Sequence, residues 1–247
     1  MEHWEQTDDL GLVRYIKYLA HLDVSQQYLP QSGVFEYYLD YQCYFIRVAV
    51  MQSYQNQSVV MRLLNQQRFR QLEDLTLDEG VLEQLRQVAL LHGGLVVLAG
   101  VTGSGKTTTA YALLREMGDR AVYSIEDPIE VFHEQFVQLQ VNPLQQLSFD
   151  QAIKQVLRHD PDVIFIGEIR DEAEAKVAVR CALTGHLVVV TLHSGSATGA
   201  TWRLLDLGVS RYDLRNVLQV VIYQQMNYAL REVDYAVVWQ AELGLEN

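Results

Sequence analysis

Gly100-Val-Thr102-Gly103-Ser104-Gly105-Lys106-Thr107-Thr108 fills every fixed position of G-x-x-x-x-G-K-[ST], directly after the apolar run Leu95-Val-Val-Leu98. A strand that breaks into glycines and reopens as a helix turns a row of backbone N–H groups toward one point, where a phosphate can sit. Lys106 is spaced to reach the β- and γ-phosphates, and the Thr107 hydroxyl to sit on Mg2+. The expected contacts of a nucleoside triphosphate, taken as ATP with Mg2+, are therefore Gly100, Thr102, Gly103, Ser104, Gly105, Lys106, Thr107 and Thr108.

Two acidic segments supply the remaining chemistry. Pro161-Asp-Val-Ile-Phe-Ile-Gly167-Glu168-Ile-Arg170-Asp171 is an apolar strand ending in an acid, as a Walker B strand does. Glu168 is placed to orient the attacking water or to take its proton, directly or through Mg2+-bound water. Ser124-Ile-Glu126-Asp127-Pro128-Ile-Glu130 puts three carboxylates within five residues. Such carboxylates repel unless something cationic lies among them. Mg2+ with its waters is the natural candidate, so Glu126 and Asp127 join Thr107 as expected metal residues. Thr184-Gly-His186-Leu-Val-Val-Val-Thr191-Leu-His193-Ser194 carries two histidines on an apolar strand. Their odd separation points them to opposite faces, so they cannot share a metal there. His193, at the carboxyl end, is placed to feel the γ-phosphate, and His186 reads as structural.

These boxes need a sheet to hold them. From residue 76 the pattern alternates helix and strand. Thr76 with Glu79 reads as a capping box, and Val81, Leu82, Leu85, Val88 and Ala89 form one apolar helix face. Strands follow at 95–99, 121–125, 163–166 and 186–192. Between them lie helices opened by the glycine loop, by a Ser148–Gln151 capping box and by Asp171. The fully apolar Val163–Ile166 run suits a parallel sheet covered on both faces, with ligands at the strands' carboxyl ends. The first 65 residues differ, with a helix near Leu12–Leu22, a turn at Pro30–Gly33, and strand-like Tyr44–Met51 and Val59–Leu64. Asn65–Gln71 is polar. The expected organisation is a small α+β domain over 1–65, a linker over 66–75 and an α/β nucleotide-binding domain over 76–247.

The net charge of −12 argues against a general nucleic-acid surface and against unaided adsorption to an anionic membrane. Cys43 and Cys181 are too few and too distant for a disulfide framework or a zinc site, so two mostly buried thiols are expected. No apolar stretch reaches the roughly 18–20 residues of a membrane span. A cytoplasmic protein is expected.

Together the four boxes resemble those of the type II/type IV secretion ATPases, the GspE, PilB and PilT group with the shorter ComGA-type competence ATPases. The P-loop is similar to Gly100–Thr108, an "Asp box" to 124–130, a glutamate-bearing Walker B to 161–171, and a "His box" to 184–194. Ala200–Gly208 looks like the helix after the His box, and Leu29–Gly33, Ile46–Val48 and Val59–Leu64 look like part of the family's N-terminal domain. The resemblance covers roughly residues 12–228. It implies a RecA-like P-loop core with a small, apparently truncated PAS-like α+β domain. It further implies a hexameric ring with nucleotide between the domains, in which Arg47 and Arg62 match the arginines that complete the site. The implied partners are further copies of the chain and an inner-membrane platform protein that recruits the ring to the membrane face; no direct nucleic-acid binding and no zinc are expected. Some positions depart from the pattern. Val101 replaces a usual proline, Gln224-Gln225-Met226 replaces Gln-Arg-Leu, and the tetracysteine zinc insertion of the long members is missing, which favours the short subgroups.

A ring-forming ATPase that powers pilus or pseudopilus assembly for DNA uptake or secretion is the leading functional expectation. An ATP-binding regulatory protein of the same fold with little turnover is the alternative. A small-molecule kinase is disfavoured, because no Arg-rich lid follows the core and the Asp and His boxes would have no use.

Overall fold

The computed structural model describes residues 10–39, 42–54, 56–64, 71–141, 147–227, 229 and 232–245, in two compact units, Met1–Gln67 and Arg68–Asn247. In the first unit, helix α1 (Leu10–Leu19) precedes an antiparallel sheet of β1 (Gln31–Leu39), β2 (Gln42–Gln52) and β3 (Gln57–Leu64), in that order. Ile16, Ala20 and Leu22 pack against Phe35, Val48 and Val50. The turn expected at Pro30–Gly33 is corrected, because Gln31 to Gly33 already belong to β1. Gly33 serves close packing there: a Cβ would lie 2.3 Å from the Ala20 carbonyl oxygen. What orders the preceding loop is the buried Gln31 side chain, which donates to the carbonyls of Asp23 and Gln26.

The second unit contains a sheet with strand order β10-β9-β4-β8-β7-β5-β6. Its strands are β4 (Gly94–Gly100), β5 (Val122–Glu126), β6 (Val137–Gln140), β7 (Val163–Ile166), β8 (Leu187–His193), β9 (Leu218–Asn227) and β10 (Glu232–Trp239). All pairings are parallel except β9–β10. Alternation along β4 assigns its side chains to two layers. Leu95, Val97 and Ala99 face α4 (Phe149–Val156), α5 (Glu172–Leu183), α6 (Ala197–Asp206) and α7 (Arg211–Val217). Val96 and Leu98 face α2 (Glu79–Ala89) and α3 (Lys106–Glu116). Each wholly buried Val, Leu, Ile or Phe of these layers stabilises the fold by about 1.5–3 kcal/mol. With helices on both faces, β4 and β7 can be apolar on every residue up to their ends, and β8 from Leu187 to Val190.

Local signals account for most helix starts. Ser148 and Gln151 form the reciprocal capping box, and Asp171 accepts from the Glu174 N–H. At α2 the expected Thr76–Glu79 box is corrected. Asp78 is the cap, accepting from the N–H groups of Gly80 and Val81, while Thr76 accepts from the Asp78 N–H. Part of the expected linker folds with the second unit: Leu72, in a short 3-10 helix (Leu72–Asp74), is wholly buried in the layer beneath α2 and α3. Residues 65–70 of that polar stretch lie outside the described residues. Both cysteines are free thiols; Cys181 is buried, and Cys43 is only partly so. Among the described residues no helix is long and apolar enough to cross a membrane.

Candidate active site

The phosphate loop joins β4 to α3. Gly103 and Gly105 have positive φ of 81° and 92°, a region L side chains rarely adopt. Gly105 is the N-cap of α3 and supplies no side-chain cap, and no acid stands in the first turn. The helix therefore presents its first N–H groups to an outside acceptor. Thr102 and Gly103 are exposed, and Lys106, Thr107 and Thr108 are half-buried. Ser104 differs. Its hydroxyl is fully buried and unpartnered, and its backbone N–H donates to the Val101 carbonyl at 3.2 Å. Lys106 Nζ donates to the carbonyl oxygens of Gly100 and Val101, each at 2.9 Å. Burial lowers the Lys106 pKa, against the opposing pull of Glu168 and Glu130.

The sheet order brings the other boxes to the same edge. His193 is the register partner of Gly100, so it stands beside the loop at the carboxyl end of β8, and it is exposed. His186 lies at the opposite end, its ring nitrogen Nδ1 3.0 Å from the Thr184 hydroxyl and 3.2 Å from the Cys181 carbonyl. Next to β8 is β7, followed by Gly167 and Glu168; next to β7 is β5, ending in Glu126 and Asp127. Gly167 lets these two ends approach, since a Cβ there would lie 3.0 Å from the Glu126 side chain.

The carboxylates divide by environment. Glu126 is 4% exposed, and its Oε1 accepts from the Tyr111 hydroxyl at 2.7 Å and the Ser124 hydroxyl at 2.6 Å. Gln138 donates to the same oxygen at 3.4 Å. Burial pushes the Glu126 carboxyl up, although the hydrogen bonds from Ser124, Tyr111 and Gln138 pull it down. Asp127 and Glu168 are exposed, and one side chain joins them. Arg170 Nη1 lies 2.6 Å from Asp127 Oδ2, its Nη2 donates to the Asp127 carbonyl at 2.9 Å, and its Nε lies 3.1 Å from Glu168 Oε2. The Arg170 backbone N–H in turn donates to Glu174 at 2.7 Å. The cation demanded by the acidic cluster was expected to be Mg2+; at Asp127 the protein supplies a guanidinium of its own. Arg170 stands inside the quoted Walker B segment but has no role in the sequence expectations; the crowding of acids is the signal from which a neighbouring guanidinium could have been read. Tyr111 and Gln138 carry no such signal in the sequence.

In the first unit, Arg47 and Arg62 are direct partners across the β2–β3 ladder and Val34 is the partner of Arg47 on β1, so all three share one face. Among the described residues neither arginine has an ion-pair partner. Like charges directly opposite are destabilising unless an anion comes between them.

Residues 5–234 match the family model described as "Type II/IV secretion system protein". The chain is 42% identical over 219 residues to a protein of Halalkalibacterium halodurans named competence protein ComGA, covering 87% of this chain and 63% of that one. It is 37% identical over 218 residues to the type II secretion system ATPase E of Vibrio cholerae, covering 87% of this chain and 43% of that one. The chain thus spans about two fifths to three fifths of the length of these relatives. Among solved structures, it is similar to the pilus retraction motor PilT with bound ADP, with a TM-score of 0.70, 27% identity and coverage of 84% of this chain and 63% of that one. It also shares the fold of the Legionella pneumophila ATPase DotB, at a TM-score of 0.69 and 22% identity, over 87% of this chain and 64% of that one.

Proposed function

The chain belongs to the type II/IV secretion system protein family, and from that premise we propose that it hydrolyses ATP as one subunit of a ring-forming motor for pilus-like fibre assembly, in competence or secretion. The observation that carries this reading is the alignment of the P-loop, His193, Glu168 and Asp127 along one edge of the parallel sheet. The names of the ComGA and secretion ATPase relatives support the same reading.

Backbone N–H groups of Gly103, Gly105 and Lys106 would hold the phosphates, with the Lys106 side chain leaving the Gly100 and Val101 carbonyls to meet them. Mg2+ beside the β- and γ-phosphates would neutralise charge that develops on the leaving oxygen. Thr107 fits such an ion, and Asp127 has one oxygen left for it beside the Arg170 contact. Glu126 fits it less well, because it is buried and one of its oxygens is committed to Tyr111, Ser124 and Gln138. Glu168 is the base or the orienter of the attacking water. His193 senses the γ-phosphate from the neighbouring strand, and the Arg47–Arg62 pair is the positive charge that the transferring phosphoryl group requires. The ring would be a homo-hexamer, recruited from the cytoplasm by an inner-membrane platform protein.

A second reading is an ATP-binding regulator with little turnover. It draws on the Arg170 contact that already engages Glu168. Phosphate release by the wild type and by Glu168→Gln, with sizing in the presence and absence of ATP, separates the two. The motor reading expects Mg2+-dependent release that falls about 100-fold or more in the variant while ATP still binds. Tight binding by the wild type without release would favour the regulator.

A further inference from the structure

Gln224 is a polar side chain in a strand interior. It follows Val220, Val221 and Ile222 on β9, all wholly buried, and is itself 0% exposed. It lies one step beyond the Ala99–Tyr223 pair, beside Gly100, where β4 gives way to the phosphate loop. Its Nε2 donates to the Ser104 carbonyl at 2.7 Å. Gln224 also crowds two glycines of the loop. A Cβ on Gly100 would lie 2.4 Å from the Gln224 carbonyl oxygen, and one on Gly105 3.3 Å from Nε2. Its register partner on β10 is Tyr235, whose hydroxyl lies 3.0 Å from the Thr109 hydroxyl in the first turn of α3. Adjacent residues of one hairpin therefore grip the loop and the helix that it opens.

The grip has a direction. In a planar trans peptide the C=O of one residue and the N–H of the next point opposite ways. A Ser104 carbonyl drawn to Gln224 sends the Gly105 N–H the opposite way, away from Gln224. The arrangement has a cost: Gln224 Oε1 and Ser104 Oγ are both buried without a hydrogen-bond partner. Unpaired buried polar atoms are destabilising, so what the Ser104 contact contributes to stability is largely offset at the same side chain's Oε1. Packing alone does not account for a glutamine at this position.

We infer that Gln224 is a positioning residue for the phosphate cradle, aiming the Gly105 N–H at bound di- or triphosphate while Tyr235 fixes the first turn of α3 through Thr109. The inference rests on the reading of this loop as a nucleotide site. It is tested on the full chain by titration with fluorescent ADP and ATP, with thermal melting, for the wild type, Gln224→Met and Tyr235→Phe. Gln224→Met is expected to weaken both nucleotides about tenfold while remaining folded at the assay temperature. Tyr235→Phe is expected to weaken them about two- to threefold. Wild-type affinity in Gln224→Met, or a loss that comes only with unfolding at the assay temperature, overturns the inference. Should Gln224→Met not fold, Tyr235→Phe decides, and unchanged affinity in it overturns the inference. A wild type that binds neither nucleotide would instead refute the nucleotide reading itself.

Discussion

Arg170→Ala should separate stability from catalysis. Arg170 makes two ion pairs, but its side chain is 50% exposed, and those of Asp127 and Glu168 are 54% and 41% exposed. Solvent screening at such exposure leaves each pair about 0.2–1 kcal/mol, so the substitution costs at most about 2 kcal/mol. For a unit of this size that lowers Tm by about 2–8 °C. The catalytic loss has another origin. Arg170 Nε holds Glu168 Oε2 in one place, and without it the carboxylate spreads over its staggered rotamers. If roughly one arrangement in ten is productive, kcat falls about tenfold, equivalent to about 1.4 kcal/mol on the barrier. KM for ATP should change little, because the partners of Arg170 are Asp127, Glu168 and Glu174, all outside the phosphate loop. Arg170→Lys keeps the charge but cannot span both carboxylates. It should recover most of the Tm and little of the kcat. The assay is steady-state phosphate release at varied ATP, paired with thermal melts of the same preparations. Wild-type kcat in Arg170→Ala would refute the argument and reduce the clamp to surface ion pairing.

Ser104→Ala should leave ATP affinity within about twofold and stability equal or up to about 1 kcal/mol higher, because the lost hydroxyl is buried and unpaired; a tenfold loss of affinity would show that the hydroxyl reaches the ligand. For Glu126, burial raises the folded-state pKa above the ordinary 4.5, so the charged form weighs against folding as pH rises through that range and the penalty is absent below it. Glu126→Gln should therefore match the wild type in Tm near pH 4 and exceed it near pH 8, and equal Tm values at both pH values would refute this. Leu72→Ala should cost about 2–5 kcal/mol in urea unfolding of the second unit, since this residue is wholly buried there; a change below 1 kcal/mol would return it to the linker. Arg47→Ala and Arg62→Ala should each lower single-turnover hydrolysis about tenfold or more at unchanged ATP affinity, and wild-type rates in both would remove the pair from catalysis.

Much of the fold is legible because its signals are local. A glycine loop after an apolar strand, a Ser148–Gln151 box or an Asp171 cap depends on residues within a turn of one another. The all-apolar Val163–Ile166 run carries its own message, since only a strand covered on both faces can be apolar on every residue. The same short range explains the misjudged spots. Asp78 captures the start of α2 two residues away from the expected Thr76, and Gly33 belongs to a strand because it pairs with Val48 on β2. Strand β6, at four residues, has no distinguishing pattern and is defined by its pairing with β5, whereas β9 does carry an apolar run, Val220–Tyr223.

Chemical identity at the site followed the same division. The types and spacing of Lys106, Thr107, Glu168 and Asp127 declare phosphate and water chemistry without any coordinates, because a motif is a list of functional groups. Only the tertiary structure decided their environments. Strand order made His193 the neighbour of Gly100, burial turned Glu126 inward while Asp127 stayed in water, and Arg170 linked two boxes 43 residues apart. Gln224 met a loop 120 residues away. Hydrogen bonding and desolvation act through space over a few ångströms, and the chain brings such partners together only when the sheet forms.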